Sequence, residues 1–543
     1  MTDTDRIEPQ ETAAPARGSS RRGLFGLGAV LALGAVAGET LVGEADAAEA
    51  ATAATAVHHG KQYASASAAA KSVKRAHSSL FPHDPQAHLL RRATFGARPK
   101  DVAALKRLGI DGWLEQQLHP GSLKDTAAEK AVALFPLDGA SPKTILKKTK
   151  RYSWDAMMAT SQATLARQIF SDRQLYEIVV DVFANHLHVP IPGEQWHTSP
   201  SYIKNVIRKH AFGTYDDMLH AAMKHPAMLS FLSNDQSRRT NVNENLGREM
   251  LELHTVGRTS GFTEEMVRSS AKIMSGRTWD YDTGQYYFEE PWHWVGHVKV
   301  LGFSAANASM YTGEKVGDAY LTYLAHHPAT ARTIARKLAI RFVSDTPSAS
   351  LVNRLAHVYL THGTSIRAVV DAIFKSSDFW AAVGVRMRRP LEDAVGAMRV
   401  LNVQRAKGMQ DTIGALYWTL GNGGHTPYGW GPPNGYPDVA AAWLGAGAML
   451  QRWNLHRTLV YGWWPKLGWT KPSKMIALTP TMTTMQWTRQ VAHRLLGVTP
   501  SKQHLLAAIH GAKLTAASPV PTDDWNLGKI ATLLLDSPYF QLR

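Results

Sequence analysis

Residues 263–276, TEEMVRSSAKIMSG, carry the signals of a complete α-helix. Thr263 is suited to cap the amino terminus, acidic residues favour the first turn, and Gly276 is a natural end. Val267, Ala271 and Met274 recur at helical spacing and give the helix one apolar face. The stretch therefore predicts a helix that packs against a core.

The same helical pattern recurs through most of the chain. His327-Pro328 starts another helix, with proline at its first position. Strand signals are sparse and predict a small hairpin or extended insertion at Tyr286–Phe288 and Val298–Leu301. Gly421–Pro437 is rich in glycine and proline, and its embedded aromatic residues favour an ordered loop. We expect a mainly α fold: a large multi-helix domain with a small extended or hairpin insertion and a Gly/Pro-rich loop in its carboxy-terminal part.

The amino terminus has the pattern of a cleavable export signal. Arg21 and Arg22 precede a 14-residue apolar run, Leu24–Ala37, and Ala45 and Ala47 form a small-residue cleavage site. Paired arginines before a glycine-diluted run favour the twin-arginine route, which carries folded proteins. The run is shorter than the roughly 20 residues that span a bilayer, so we expect no anchor in the mature chain.

Three segments follow from this pattern. Residues 1–47 are a predicted twin-arginine-type signal peptide, residues 48–81 are an Ala/Ser-rich linker, and residues 82–543 are a helical domain. Removal of residues 1–47 leaves 56 basic and 37 acidic residues, a formal charge of +19. We expect an extracellular or cell-envelope location, where this charge attracts anionic envelope polymers rather than nucleic acid.

The chain contains no cysteine. Thiol nucleophiles, thiolate metal sites, disulfides and covalent haem attachment are therefore excluded. The serine-hydrolase elbow, the phosphate-binding loop and the His-Glu-x-x-His zinc helix are missing as well.

The most polar helical stretch, residues 241–257, holds the leading candidates for chemistry. Glu249 and Glu252 share one side of the predicted helix with Arg248 and suit a divalent metal or proton transfer. His254 lies about 140° away from Glu249 on the wheel, so it joins them only if the helix end is distorted. Surface ion pairs at i,i+4 spacing explain the same residues without any function.

A second carboxylate and imidazole set lies at residues 171–189. Glu177, Asp181 and His188 fall within about 40° of one another on the helical wheel, as in helical metal sites. His186 lies on the apolar side and has the character of a hydrogen-bonded core residue.

Two further segments have two interpretations each. His293 and His297 flank Trp292 and Trp294, a pattern that fits metal or sugar binding and equally fits a packed loop. The run from Lys143 to Arg151 holds five cations in nine residues and suits either a polyanion contact or a solvated surface.

Four motifs resemble those of a bacterial family, domain of unknown function 1800. They span most of residues 82–543 in the family's order. The motifs are His88-Leu-Leu-Arg91-Arg92-Ala-Thr-Phe95-Gly96, Asn243 through Glu249 and Glu252 to Gly257, His327-Pro328 through Lys337 to Val343, and Pro432-Pro433-Asn434-Gly435-Tyr436-Pro437 with Trp443. The resemblance implies a mostly helical exported protein. It also implies a partner from domain of unknown function 1501, a predicted exported hydrolase-like family.

The chain departs from the family pattern at three places. Phe183-Ala184-Asn185-His186-Leu187 lacks one histidine of the usual motif, His293-Trp294 lacks the acidic partner, and Gly435-Tyr436 replaces Gly-Trp. These changes weaken the expectation of a metal in the first two segments.

Two hypotheses for function remain open. One is a metal-dependent envelope enzyme with Arg248, Glu249 and Glu252 as catalytic residues and with Glu249, Glu252, His254, His188 and His293 as candidate ligands of a divalent metal. The other is a non-catalytic binding or assembly protein for anionic or glycan polymers or for an exported partner.

Overall fold

Helices form most of the protein in the computed structural model, which describes residues 60–74 and 80–543. The mainly α fold is thereby confirmed. The α-helices before the strands are Ala66–Ser72, Pro85–Ala93, Pro99–Leu118, Thr126–Val132, Pro142–Lys148, Trp154–Phe170, Gln174–His186, Ser199–Tyr202, Tyr215–Met223, Pro226–Phe231, Asn245–Glu249 and Glu264–Met274. Two π-helical segments, Ile203–Arg208 and Met250–His254, extend two of them.

The second half of the chain is helical from Gly313 onward. Its α-helices are Gly313–Ala325, Pro328–Phe342, Ala349–Thr361, Ile366–Phe374, Ser377–Ala381, Pro390–Val400, Met409–Asn422, Ala446–Tyr461, Thr484–Leu496, Lys502–Gly511, Asp524–Asp536 and Pro538–Gln541. Short 3₁₀ turns lie at Pro120–Ser122, Asn234–Gln236, Arg258–Ser260, Glu290–Trp292, Met310–Thr312, Ala440–Trp443 and Pro472–Lys474.

Local sequence explains where two of these helices begin. The Thr263 hydroxyl accepts a hydrogen bond from the Met266 amide, and Glu264–Met274 follows as predicted. The His327 ring accepts from the Ala329 amide and caps Pro328–Phe342. Each cap satisfies an amide that the first helical turn leaves without a partner.

The strands form two separate antiparallel hairpins. Tyr286–Phe288 pairs with Arg277–Trp279, and Val298–Val300 pairs with Phe303–Ala305. The small hairpin insertion is thus confirmed, although the two predicted strands pair with different partners instead of with each other.

The described residues, 60–74 and 80–543, belong to one compact unit around a large apolar core. A smaller apolar cluster lies beside it, in which Ile145, Ala156 and Trp196 are buried. This small cluster joins the helix Pro142–Lys148 to the start of the helix Trp154–Phe170. The basic run and the aromatic residues that follow it are therefore held at fixed positions.

Part of the predicted linker is folded onto this unit. Ala66–Ser72 is a helix capped by Ser65, and Ala66, Ala69 and Ala70 are buried. The Tyr63 amide also donates to the Lys375 carbonyl over 2.9 Å. Alanine side chains allow the close approach that this packing needs, so a composition poor in large apolar residues does not by itself give an unfolded segment.

The predicted signal residues Arg21, Arg22, Ala45 and Ala47 lie outside the described residues. Within the part that the structure describes, no helix has the length and apolarity needed to cross a bilayer.

Candidate functional site

Glu249 and Glu252 lie on neighbouring turns of a partly exposed helical segment. Glu252 accepts a hydrogen bond from Arg258 Nε over 2.9 Å, and its carboxylate lies 3.7 Å from Arg248 Nη1. Arg248 itself donates to Glu264 over 2.6 Å. The i,i+4 pairs of Arg248 with Glu244 and Glu252 are therefore present, at 3.4 and 3.7 Å, and Arg258 places a second cation beside Glu252.

Glu249 differs from its neighbour because none of these arginines bonds to it. Burial, followed by repulsion from the Glu252 carboxylate, raises the pKa of Glu249 above its ordinary value. A half-buried carboxyl group of this kind favours its protonated form more than an exposed glutamate does.

His254 does not join the two glutamates. The helix end is distorted into the π-helical turn Met250–His254, yet the His254 ring is fully buried. Its Nδ1 donates to the His186 carbonyl over 3.0 Å. The ring thus faces the core, and the arrangement does not fit a metal held by Glu249, Glu252 and His254 together.

His186 completes a reciprocal contact with His254. His186 Nε2 lies 3.1 Å from the His254 carbonyl, and the Tyr215 hydroxyl donates to the same carbonyl. Burial, then the positive charge of Lys337, lowers the pKa of His186 well below its ordinary value. His186 is therefore a neutral, hydrogen-bonded core residue.

The structure separates Glu177 from Asp181 and His188. Glu177 accepts two hydrogen bonds from Arg208, over 2.8 and 2.7 Å, in a paired fork geometry. Asp181 accepts from Arg341 over 2.7 Å and from Arg389 over 2.5 Å. Both carboxylates of this predicted metal site are therefore paired with arginines.

Asp181 belongs to a buried ionic network that sequence analysis did not identify. At its centre, Arg341 donates to Glu392 over 2.5 Å and to Asp438 over 2.8 Å, in addition to Asp181. The other charged members are Arg386, Arg389, Arg543 and Asp345. Although burial opposes ionisation, the surrounding guanidinium groups, Arg543 first, hold the pKa of Glu392 well below its ordinary value.

This network, called the charged core below, borders a cavity of about 10 Å³, room for about one water molecule. Asp181, His188, Arg389, His425 and Tyr436 line it. His188 Nε2 is 2.6 Å from the Trp430 carbonyl, and burial lowers the pKa of His188 to about 4. The cavity is too small for anything larger than a water-sized molecule.

The Gly/Pro-rich loop closes one side of this cavity. Asn185 donates to the Tyr436 carbonyl over 2.8 Å and accepts from the Tyr436 amide over 2.7 Å. Gly435 has a φ of +70°, and a Cβ there would lie 2.1 Å from the Asn185 carbonyl. Only glycine allows this approach, which ties the loop to the helix Gln174–His186.

His293 is a packed residue in the hairpin region. Its Nδ1 lies 2.9 Å from the Ser275 carbonyl, and its Nε2 lies 2.8 Å from Asn307 Oδ1. Both ring nitrogens are engaged, so the packed-loop interpretation fits His293 better than the metal interpretation. Across the described residues, no group of three or more histidine, aspartate or glutamate side chains is placed to hold a metal ion.

An exposed surface with different chemistry begins at the helix Pro142–Lys148, whose buried Ile145 anchors it to the small apolar cluster. Its outward cations, and those just after it, are exposed: Lys143, Lys147, Lys148, Lys150 and Arg151. Among the described residues, no salt bridge neutralises these five cations.

Aromatic side chains continue directly from the cations. Trp154 and Trp418 are 58% and 59% exposed, and their ring centroids lie 6.4 Å apart. Tyr152 has a φ of +57°, an uncommon backbone conformation for a bulky residue, and its ring lies 5.9 Å from Trp196. The Tyr152 side chain is 47% exposed in this conformation.

His197 is buried beneath the aromatic surface, between Trp196 and the first hairpin. Its ring centroid lies 4.9 Å from Trp196, 5.7 Å from Trp279 and 4.8 Å from the exposed Tyr281. Neither ring nitrogen has a hydrogen-bond partner. Both nitrogens are buried, and burial, followed by the charge of Arg151, lowers the pKa of His197 to about 4, so the ring is neutral. The exposed residues of this surface, which are the five cations, Tyr152, Trp154, Trp418 and Tyr281, are called the aromatic–basic face below.

Comparison with family models matches residues 88–542 to "Protein of unknown function (DUF1800)". The chain belongs to the DUF1800 family. Comparison with curated proteins and with solved structures gives no significant match.

Several motif residues of this DUF1800 chain lie in or beside the charged core. Arg341 follows Lys337 in the third motif, Tyr436 lies in the Pro-Pro-Asn loop, and Asp438 comes directly after it. Arg92, from the first motif, donates to the Val343 carbonyl over 3.0 Å. The motifs thus join distant parts of the DUF1800 fold.

Most residues of the aromatic–basic face were not predicted from the sequence to lie together. The run of cations was visible, but Trp418 and Tyr281 lie far from it in sequence and are brought there by the fold. One feature of the sequence did indicate that aromatic residues lie beside the cations. Tyr152 and Trp154 follow the cations directly, which extends the basic run into a mixed aromatic and cationic segment.

Proposed function

We propose that this DUF1800 member is an exported cell-envelope protein that binds an anionic glycan polymer through the aromatic–basic face. The observation that carries the proposal is the contact of the exposed Trp154 and Trp418 rings beside cations that have no ion-pair partner. Export follows from the predicted signal at Arg21 and Arg22 and is part of the proposal.

The aromatic rings of the face suit the sugar rings of such a ligand, and the cations suit its anionic groups. The C–H face of a sugar ring stacks on a flat aromatic side chain, whose π face is negative. Carboxylate or sulfate groups pair with lysine and arginine. A large contiguous exposed apolar patch marks a binding site more often than chance exposure does.

Binding of the purified protein to alginate, compared with a neutral glucan of similar length, tests the proposal. We expect alginate to bind and its affinity to fall as salt increases, because exposed charges are screened. A double variant, Lys147→Gln with Lys148→Gln, should weaken binding and reduce its salt dependence. Alginate binding that does not respond to salt, or equal binding of both polymers, would contradict the electrostatic part of the proposal.

A matched control separates this face from general positive charge. Lys471 and Lys474 are also exposed lysines, but they lie in another part of the fold. The corresponding double variant, Lys471→Gln with Lys474→Gln, carries the same net charge and should bind alginate like the parent protein. Equal losses in the two double variants would show that net charge, and not the face, governs binding.

Glu249 supports a second candidate function, proton transfer by an envelope enzyme. It is a half-buried carboxyl group with a raised pKa, next to a π-helical turn, and both features are common at active sites. Elemental analysis of the purified protein tests a metal-dependent form of this function. Glu249→Gln tests the proton-transfer form, because it should abolish any hydrolytic activity found on envelope substrates while leaving alginate binding unchanged.

A further inference from the structure

The helix Ala446–Tyr461 exposes apolar residues where a surface helix normally exposes polar ones. Leu450 and Trp453 are exposed, and with Arg457 and Tyr461 they lie on one side of the helix at helical spacing. The opposite side is buried and consists of Arg452, Leu455, His456, Leu459 and Val460. The helix is thus packed on one side and presents a largely apolar side outward.

Aromatic rings extend this surface beyond the helix end. Tyr461 and Trp463 stack with centroids 5.3 Å apart, and Trp525 lies 5.0 Å from Tyr461. Trp463 and Trp525 are 54% and 52% exposed. The Tyr461 ring packs directly against Gly528, because a Cβ atom at residue 528 would lie 2.7 Å from the ring. Leu450, Trp453, Tyr461, Trp463 and Trp525 are called the apolar stripe.

Cations border the apolar stripe. Arg457 lies 5.2 Å from the Trp463 ring centroid, and Lys529 lies 5.7 Å from that of Trp525. The adjoining segments carry further exposed cations, Arg405, Lys407, Lys466, Lys471 and Lys474. The acidic residues of these segments are fewer: Asp411, Asp523 and Asp524.

We propose that the apolar stripe and its bordering cations form a peripheral docking surface for a bilayer that contains anionic lipid. Leucine and tryptophan side chains would enter the boundary between headgroups and acyl chains, and the cations would contact phosphate. The proposal stands on residues outside the aromatic–basic face and does not depend on glycan binding.

Charge complementarity and the type of apolar residue favour a bilayer over a protein partner. Tryptophan and tyrosine are enriched at the membrane–water interface, because their rings are apolar and carry one polar group. An interfacial helix combines such residues with leucine and with lysine or arginine at the edges. The stripe has this composition, and its excess of cations matches the negative potential of anionic lipid.

Flotation with lipid vesicles tests the proposal on the purified full-length mature chain. We expect binding to vesicles of phosphatidylglycerol mixed with phosphatidylcholine, and a blue shift of tryptophan fluorescence on binding. Pure phosphatidylcholine should bind about tenfold more weakly, since it lacks the electrostatic attraction. Failure to bind the anionic vesicles would overturn the proposal.

Variants locate the contact. Leu450→Ser with Trp453→Ser should lower vesicle affinity at least about tenfold, because both side chains are lost from the buried apolar area. Trp463→Ala is a second, milder variant, and circular dichroism melting confirms that each protein is folded. Trp154→Ala, which removes an equally exposed tryptophan from the aromatic–basic face, is the matched control and should leave vesicle binding unchanged.

Two other outcomes overturn the proposal. Vesicle binding that the stripe variants leave intact would place the contact elsewhere. A dimer in sedimentation that these variants dissociate would show that the stripe pairs with a second copy of the chain. Alginate binding by the same stripe variants should equal that of the parent, so failure of the docking surface and failure of the proposed function are distinguishable.

Discussion

The charged core and the aromatic–basic face both concentrate cations, but they use them in opposite ways. Within the core, Arg341 is buried and contacts three carboxylates, so its charge is fully compensated inside the protein. On the face, five exposed cations have no ion-pair partner among the described residues. Paired buried charges hold elements together, whereas unpaired exposed charges remain available to a ligand. We therefore expect the charged core to contribute to stability, and we propose that the aromatic–basic face contributes to binding.

Removal of a buried carboxylate should have the largest effect on stability. Glu392→Gln leaves Arg341, Arg389 and Arg543 around an uncharged group, and we expect the free energy of unfolding to fall by about 3–5 kcal/mol. Urea unfolding followed by circular dichroism measures it. Glu264→Gln removes an exposed carboxylate from Arg248 and serves as the control, with a much smaller expected loss because solvent screens this pair. Equal losses would contradict the distinction between buried and exposed charges.

A buried histidine beside the core should make stability depend on pH. His456 Nε2 lies 2.9 Å from Asp393 and Nδ1 lies 2.8 Å from Asp536. Although burial opposes it, the Asp393 carboxylate raises the pKa of His456 from 6.5 to about 9. Because the folded-state pKa is the higher one, this stabilisation is complete below pH 6.5 and is lost as the pH rises through about 9.

The expected loss from this histidine is about 3 kcal/mol over that range, since each pKa unit corresponds to about 1.4 kcal/mol. Urea unfolding at a series of pH values between about 6 and 10 measures the slope for the parent and for His456→Gln. The variant should be less stable at the low end and should show a smaller decline with pH. Parallel curves for the two proteins would show that His456 does not hold an extra proton in the folded state.

On the aromatic–basic face, an aromatic truncation should affect binding without affecting stability. Trp154→Ala removes a 58% exposed ring from its contact with Trp418, and we expect alginate affinity to fall about 30-fold, or about 2 kcal/mol. Isothermal titration calorimetry measures the affinity. Trp525→Ala is the control, because it removes an exposed ring of similar accessibility far along the chain. The assignment fails if the control loses as much affinity as Trp154→Ala.

Glu249→Gln should have the smallest effect. The carboxyl group has no arginine partner, and its pKa is raised by burial and by Glu252, so the neutral amide replaces it at little cost. We expect a change in unfolding free energy within about 0.5 kcal/mol. A stability loss several times larger, or a bound metal that this variant releases, would instead support the metal hypothesis for Glu249 and Glu252.

Features that depend on neighbouring residues were predictable from the sequence. Helix starts at Thr263 and His327 follow from local capping, and the i,i+4 pairs around Arg248 follow from helical spacing. The family itself was recognisable from four motifs and is confirmed over residues 88–542. Local chemistry and short motifs need no knowledge of tertiary contacts.

Features that depend on distant residues were not predictable in this way. Helical spacing predicts that Glu177, Asp181 and His188 lie together. In the structure, however, Arg208 donates to Glu177, and Arg341 and Arg389 donate to Asp181. The segment Met250–His254 is π-helical, so the angles of a straight α-helix do not apply to it, and His254 lies in the core. Arginines from elsewhere in the chain decided which carboxylates remained free, and periodicity does not reveal them.

Hydrogen–deuterium exchange with and without a short alginate oligosaccharide tests most directly whether recognition lies on the aromatic–basic face. We expect slower exchange in peptides that cover residues 142–154, with smaller effects near Tyr281 and Trp418. Peptides of the charged core should exchange as they do without ligand. No protection at residues 142–154, or protection confined to the segment around Glu249 and Glu252, would show that the glycan is not recognised by the aromatic–basic face.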